Sequence, residues 1–417
     1  MTENRPALVV SGADLDDLRS RLRATRWPTP WPADAASAGE QPDELQRLAT
    51  YWADSFDWRA AEAAFNALPH QFAEVDGTTV HYLRFDGETP GAQPIVLTHG
   101  WPSTVLELVS LAERLASPST HGGNPDDAFT VIVPSLPGYV LSPQRPSVLG
   151  DHPTHELWHR LMHDVLGFDT YAAHGGDLGA GITSRLADAH PESVIGIHVL
   201  AVAGPLELDP ATITADEQRF LDAADDWTAN EGGYQHQQST RPVTLAYGLA
   251  DSPVGLLAWI LEKYRAWSDN HGILSTTFTD DFLLTQASLY WFTNTISTSF
   301  RPYFEYAAGA TGRVTRVTVP TAVALFPADL SHPPRSWAER SYNVVRYRDA
   351  PRRPLRGARA TGAARRRPDG VLSAIALGGR ASSAALRQAQ GTGRRVAAWL
   401  SPATRGRVVS ITLHSQG

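Results

Sequence analysis

Cysteine is missing from all 417 residues. That excludes disulfides, thiolate metal sites and a cysteine nucleophile, and it leaves the redox compartment unreadable. No run of about 18 uninterrupted apolar residues occurs that could cross a bilayer. The opening Met1-Thr2-Glu3-Asn4-Arg5-Pro6 shows no basic run followed by an apolar stretch, so a soluble, cytoplasmic protein with no membrane anchor is expected. Metal signatures are missing as well. The 15 histidines are scattered and no His-Glu-x-x-His or comparable spacing occurs, so no metal and no cofactor is expected. There are no internal repeats, and the low-complexity sequence is confined to an Arg/Ala/Gly-rich stretch after residue 352.

What is present is the composition of a globular protein with a sizeable core: 42% hydrophobic, 19% charged, with 12 Trp, 12 Tyr and 13 Phe. The length fits one large decorated domain or two ordinary ones. The net charge of −8 averages two unlike parts, about −20 up to Pro351 and about +12 from Arg352 onward. A basic tail can bind nucleic acid, but these arginines lack aromatic interleaving and no recognition motif accompanies them, so no nucleic-acid partner is expected.

Along the chain, residues 11 to 75 read as helical and irregular, with Leu15, Leu18 and Leu22 on one face of a first helix. Thr78-Val80-Tyr82-Arg84 alternates as a strand. Ile95-Val96-Leu97 and Phe129 to Val133 are short apolar runs ending in Gly/Pro-rich turns, read as buried strands. A helical pattern from His155 to Leu166 precedes the run Tyr171 to His174, which ends in Gly175-Gly176-Asp177-Leu178-Gly179 and opens a helix through Leu186. Strand, helix and strand alternate, which predicts an α/β fold with a parallel sheet and helices on both faces. After Val194 to Val202 come roughly 110 helical, aromatic-rich residues, before β patterning resumes at Thr321 to Phe326 and Asn343 to Tyr347. A helical cap inserted into an α/β core fits. The expected divisions are 1–75, an N-terminal wrapping segment; 76–204 and 316–352, the two parts of the core; 205–315, the cap; and 353–417, an aberrant tail.

Gly175-Gly176-Asp177-Leu178-Gly179 has the small-x-nucleophile-x-small form of a nucleophile elbow, in which glycines let the chain turn sharply enough to present the central side chain. On the pentapeptide alone, an ordinary Gly/Asp turn is an equal reading. With Asp at the centre the nucleophile would be a carboxylate, suited to attack saturated carbon bearing a strained or good leaving group. Epoxides and haloalkanes qualify. His99-Gly100-Trp101-Pro102 follows a strand where such an architecture needs a backbone N–H, so the amides of Trp101 and Leu178 are the expected oxyanion donors. His99 itself is read as a structural turn residue.

With these residues in view, the chain resembles the epoxide hydrolases of the microsomal and juvenile-hormone type, including bacterial relatives with the dedicated N-terminal region. The resemblance spans residues 10 to about 352 and rests on Phe56-Asp57-Trp58-Arg59 with Leu68-Pro69-His70, His99 to Pro102, Pro134 to Gly138, Gly175 to Gly179, Asp251 to Gly255, Leu261 to Trp267 and Ser299 to Tyr303. In detail it departs at Val140-Leu141-Ser142-Pro143, where relatives usually have Gly-Phe-Ser. The resemblance implies an α/β-hydrolase fold, an epoxide substrate, water as co-substrate, no cofactor, and a role in detoxification or aromatic hydrocarbon catabolism. It implies Asp177 as nucleophile, Tyr234 and Tyr303 as cap phenols that bind and protonate the epoxide oxygen, and Asp329, in Phe326-Pro327-Ala328-Asp329-Leu330, as the carboxylate orienting a histidine base. Without the motif match, a cap tyrosine reads as packing and Asp329 as a surface loop residue.

That histidine is the main departure. The family carries it in a Gly-Gly-His-Phe-Ala-Ala-Leu-Glu segment after a strand like Asn343 to Tyr347. This chain reads Pro351-Arg352-Arg353-Pro354-Leu355-Arg356-Gly357-Ala358-Arg359, and only His414 lies beyond. Yet codons for Pro354 to Arg359, CCA CTT CGC GGC GCT CGA, read one base later as CAC TTC GCG GCG CTC GA, which encodes His-Phe-Ala-Ala-Leu and the start of an acidic codon. Ala360 to Pro368, shifted likewise, can encode Gln-Pro-Glu-Leu-Leu-Ala-Asp-Asp-Leu, the family's continuation. A reading-frame displacement near Arg352-Arg353 accounts for both the lost histidine and the basic tail. The chain as written would lack its second-step base and the last strand and helix of its core, leaving apolar surface uncovered. His332, beside Asp329 rather than opposite the nucleophile, is a poor replacement. The rival enzyme reading is a haloalkane dehalogenase, which would place a halide-binding Trp where Leu178 stands; a non-catalytic relative is a third. A cap rich in Trp and Tyr suggests apolar or aromatic substrates. Oligomeric state is left open.

Overall fold

The computed structural model describes residues 7–29, 31, 38–40, 42–145, 153–326 and 328–349. The N-terminal region folds as three short helices. In α1 (Gly12–Arg23) Leu15, Leu18 and Leu22 line the buried face, and the Ser11 hydroxyl caps the start by accepting the Asp14 N–H. In α2 (Pro42–Asp54) the buried stripe is Leu48, Ala49, Trp52 and Ala53. Asp57 caps α3 (Trp58–Asn66) through the Ala60 N–H.

The strand that follows, β1 (His70–Val75), was not legible as one. Its apolar Phe72 faces outward, 51% exposed, so the alternation that marks a half-buried strand is missing. β1 pairs antiparallel with β2 (Thr78–Phe85), and β2 pairs antiparallel with β4 (Phe129–Pro134). From there every pairing is parallel: β4 with β3 (Gln93–Thr98), β3 with β5 (Tyr171–Gly175), β5 with β6 (Val194–Val199), β6 with β7 (Val317–Leu325), and β7 with β8 (Tyr342–Asp349). The order across the eight-stranded sheet is β1-β2-β4-β3-β5-β6-β7-β8. Ile95, Val96, Leu97, Val131, Ile132, Val133, Ala172 and Ala173 are wholly buried, as strands covered on both faces require. Helices α4 (Leu106–Ala116), α5 (Thr154–Arg160, continued by a π turn over Leu161–Val165) and α6 (Leu178–Ala189) supply that cover.

Between β6 and β7 the chain leaves the sheet for the cap: α7 (Ala215–Glu231), α8 (Gly233–Thr240), α9 (Pro242–Asp251), α10 (Pro253–Ala266), α11 (Asp280–Thr293), α12 (Ile296–Ser299) and α13 (Arg301–Ala307). A capping box of Thr214 and Glu217 starts α7. The N-terminal helices grip this cap. Arg21 pairs with Asp251, Arg47 with Asp280, and the Trp52 Nε1–H donates to Ser288 Oγ at 2.9 Å. A last helix, α14 (Arg335–Ser341), precedes β8. The aberrant tail, and with it the expected loss of a final strand and helix, lies outside the described residues. No single described helix is long and apolar enough to cross a membrane.

Candidate active site

β5 sits in the middle of the sheet, between β3 and β6. Residues at the carboxyl end of such a strand stand where open α/β sheets bind ligands. The turn from β5 into α6 places Asp177 there at φ 53°, ψ −130°. A non-glycine residue holds that conformation only where its surroundings enforce it. They do so by close packing of backbone: a Cβ on Gly175 would lie 2.1 Å from the Gly179 carbonyl oxygen, one on Gly179 2.1 Å from that of Thr98, and one on Gly100 2.0 Å from Asp177 Oδ1. Glycine is the residue that fits at each.

The carboxylate meets two backbone donors. Trp101 N–H donates to Asp177 Oδ1 at 2.7 Å, and the Leu178 N–H, at the start of α6, also bonds the carboxylate. Burial nevertheless pushes its pKa up to about 8, against the pull of those two donors, with Glu107 adding a smaller push in the same direction. Asp177 Oδ2 is buried without a hydrogen-bond partner.

The cap closes an aromatic box over this carboxylate. Tyr234, on α8, stacks on Trp101 at 5.6 Å and 7°. Tyr303, on α13, meets Trp101 edge-on at 6.0 Å and Tyr234 at 6.0 Å. Trp267 and Phe300 pack against Trp101 at 6.2 and 6.0 Å. Both phenols are buried, and burial holds each well above the ordinary tyrosine value, with the Asp177 charge raising both further. The two hydroxyls act on each other, but neither has a well-formed hydrogen bond. Trp101 is itself anchored, its Nε1–H donating to Ser299 Oγ at 3.2 Å.

Of the residues singled out by sequence, Asp177, Trp101, Leu178, Tyr234 and Tyr303 therefore come together in one buried cluster. Asp329 stands apart in the loop after β7, two strands across the sheet from β5. It is half-buried; its Oδ1 accepts the Leu330 N–H at 2.8 Å and its own N–H donates to the Phe326 carbonyl at 2.9 Å. His332 is exposed, with Nε2 held 2.9 Å from the Phe326 carbonyl oxygen. His99 is a loop tie: Nε2 accepts the Leu136 N–H at 3.1 Å and Nδ1–H donates to the Gly100 carbonyl at 2.9 Å, while burial lowers its pKa to about 4. With both nitrogens engaged and the ring neutral, it ties the loop after β3 to the loop after β4.

Two supports went unread in the sequence. The Tyr264 hydroxyl donates to Glu107 Oε1, and burial pushes that carboxyl up to about 7. Arg145 and Arg301 share Glu305 in a buried cluster that ties α13, and so Tyr303, to the loop after β4; Arg301 also donates to the Arg145 carbonyl at 2.5 Å. The visible signal was Tyr264 and Arg301 lying inside motifs already quoted. A cavity of about 350 Å³ opens between α7 and the 330–334 loop, and its wall includes Trp227, which meets Tyr234 at 6.4 Å. Among the described residues, no three His, Asp or Glu side chains converge as a metal would need.

Set against known proteins, the chain matches the family model for the epoxide hydrolase N terminus over residues 5–108 and that for the alpha/beta hydrolase fold over residues 93–232. It is 32% identical over 367 residues to epoxide hydrolase 1 of Sus scrofa, covering 80% of each chain. Among solved structures it resembles juvenile hormone epoxide hydrolase from the silkworm Bombyx mori, with a TM-score of 0.71, 29% identity, and 82% of this chain and 86% of that one covered. It also resembles Aspergillus niger epoxide hydrolase, with a TM-score of 0.70, 29% identity, and 82% and 88% covered.

Proposed function

The chain belongs to the epoxide hydrolase family of the α/β-hydrolase fold, and from that membership we propose that it opens an apolar epoxide by attack of Asp177 and, as written, stalls at the resulting ester. The observation that carries this is a set of three buried polar atoms among aromatic rings: Asp177 Oδ2 has no hydrogen-bond partner, and the hydroxyls of Tyr234 and Tyr303 have no well-formed one, each acting only on the other. Burying a polar atom unpaired costs roughly 1–3 kcal/mol. Three together make sense if a ligand supplies the missing contacts, and an epoxide does: its oxygen accepts from the two phenols while its carbon faces the carboxylate.

In the first step Asp177 Oδ2 attacks a ring carbon and the strained C–O bond breaks. The bond electrons go to the epoxide oxygen, which takes a proton from Tyr234 or Tyr303. The product is a hydroxyalkyl ester on Asp177, and the phenolate recovers its proton from water. General-acid assistance of this kind is worth roughly 10²–10⁴-fold. In the second step water attacks the ester carbonyl, the N–H groups of Trp101 and Leu178 stabilise the tetrahedral oxyanion, and a vicinal diol leaves with Asp177 restored. That step needs a base to take the proton of water. The family's histidine, oriented by Asp329, is the one that a displaced reading frame near Arg352-Arg353 would remove. The walls of Trp101, Tyr234, Trp267 and Phe300 favour an apolar or aromatic epoxide. Leu178, in place of a halide-binding Trp, speaks against dehalogenation.

The test is incubation with styrene oxide followed by intact mass and peptide mapping. A stable gain of one styrene oxide on the peptide carrying Asp177 is expected. Unmodified protein with no diol would overturn the reading and favour a non-catalytic relative. Sequencing the gene across the codons for Pro351 to Asp369 checks the frame independently.

A further inference from the structure

The chain contains one lysine, and that lysine is buried. Lys263 lies on α10 with 5% of its surface exposed, on the helix that also buries Leu256, Leu257, Ile260 and Leu261. An ammonium in such a place is costly unless its charge is met. Among the described residues its one carboxylate partner is the neighbouring Glu262, whose side chain is 26% exposed against 6% for Lys263. Its remaining counterparts are ring faces: Nζ stands 4.6 Å from the centroid of Tyr234 and 5.2 Å from that of Trp267. Two further buried cations, Arg145 in the loop after β4 and Arg301 on α13, both pair with Glu305, and Arg301 also donates to the Arg145 carbonyl. Among the described residues, Lys263 alone places a cation directly on the ring of Tyr234 or Tyr303.

A cation over an aromatic face is attracted to its π electrons. The attraction grows when the ring gains negative charge, as Tyr234 does while its O–H proton passes to the epoxide oxygen. An interaction stronger in the transition state than in the resting state accelerates the step. We propose that Lys263 is a positioning residue of epoxide opening: its ammonium holds the Tyr234 ring against Trp101 and stabilises the phenolate character that Tyr234 acquires as it gives up its proton. The inference rests on the reading of Tyr234 as an acid. In this step the Tyr234 O–H bond breaks and the O–H bond of the opened ring forms; Lys263 keeps all its protons. Two negative groups act against it on Tyr234, Asp177 and Glu262. Alkylation removes the first of these charges as the proton moves. The second is partly in water and correspondingly screened.

The experiment is the rate of Asp177 alkylation by styrene oxide, followed by intact mass at several concentrations, so that the limiting rate and the half-saturating concentration are obtained separately. Lys263→Met keeps the length of the stem and loses the charge; its limiting rate is expected to fall about tenfold with half-saturation unchanged. Lys263→Arg keeps a cation and is expected to recover most of that loss. Glu262→Gln, at a partly exposed position, removes the opposing charge and is expected to raise the limiting rate about twofold. Lys263→Met alkylating at the wild-type rate, Lys263→Arg as slow as Lys263→Met, or Glu262→Gln no faster than wild type would each overturn the inference. A wild-type chain that forms no adduct overturns the underlying reading of Asp177 and the inference with it, before any Lys263 variant is compared.

Discussion

Two aspartates at the carboxyl end of one sheet differ in almost everything but type. Asp177 is buried at 5% exposure, strained in its backbone and fixed by two N–H donors, one of them from Trp101, whose ring packs with Tyr234, Tyr303, Trp267 and Phe300. Asp329 is half-buried in a loop, bonded to its own neighbours, and two strands away. The difference is one of assembly. Everything around Asp177 comes from elements that the sheet and cap build completely, whereas the proposed partner of Asp329 would come from the chain beyond β8. A change confined to residues after Asp349 can therefore leave the ester-forming half of the site intact while removing the ester-breaking half.

The sharpest way to break this contrast is to remove the nucleophile. Asp177→Asn should abolish adduct formation, by roughly 10⁴-fold or more in rate, whereas Asp329→Asn should leave alkylation nearly unchanged; stopped-time intact mass measures both. Next comes the backbone that serves Asp177. Gly100→Ala puts a Cβ 2.0 Å from Asp177 Oδ1 and 2.4 Å from Asp177 Cβ, so the loop or the carboxylate must move. A loss of about 10²–10³-fold in alkylation is expected, the scale of losing an oxyanion donor, with near-UV circular dichroism checking that the fold survives.

Removing one phenol is a smaller step. Tyr303→Phe and Tyr234→Phe should each slow alkylation by about 10²-fold, the double variant more, with little effect on Tm because each hydroxyl lacks a well-formed partner. The gentlest probe is pH. The proposed nucleophile is the carboxylate, and burial holds Asp177 up to about 8, so below that value the reactive form is the minor one. The alkylation rate should climb with pH through neutrality, level near 8, and stay level while both phenols, held well above their ordinary value, keep their protons. A rate flat from pH 6 to 9 would show that the carboxylate is already ionised at the lower end.

The two regions also differ in how much could be read in advance. Gly175-Gly176-Asp177-Leu178-Gly179 was legible as a tight strand-to-helix turn because close packing leaves glycine no substitute at Gly175 and Gly179, and such constraints are written in consecutive residues. The parallel strands β3 to β7 were legible as short apolar runs for the same reason that their residues are buried on both faces. β1 was missed because its Phe72 points outward. The cation on Tyr234 was missed because Lys263 and Tyr234 meet only through the packing of α8 against the helices around it, a contact that no spacing encodes. The Arg145, Glu305 and Arg301 cluster was hidden likewise, since Arg145 lies 160 residues before Glu305, although Arg301 and Glu305 are an i,i+4 pair. The tail was suspect from charge alone, since a swing from strongly acidic to strongly basic at Arg352 has no counterpart in the fold before it.

The most direct measurement compares diol released per mole of protein by the chain as written and by a chain carrying the displaced frame restored after Arg352. The account expects at most one epoxide consumed and no sustained diol from the first, with continuous turnover from the second. Sustained turnover by the chain as written would contradict it, because the base would then have to come from a residue that the account has set aside.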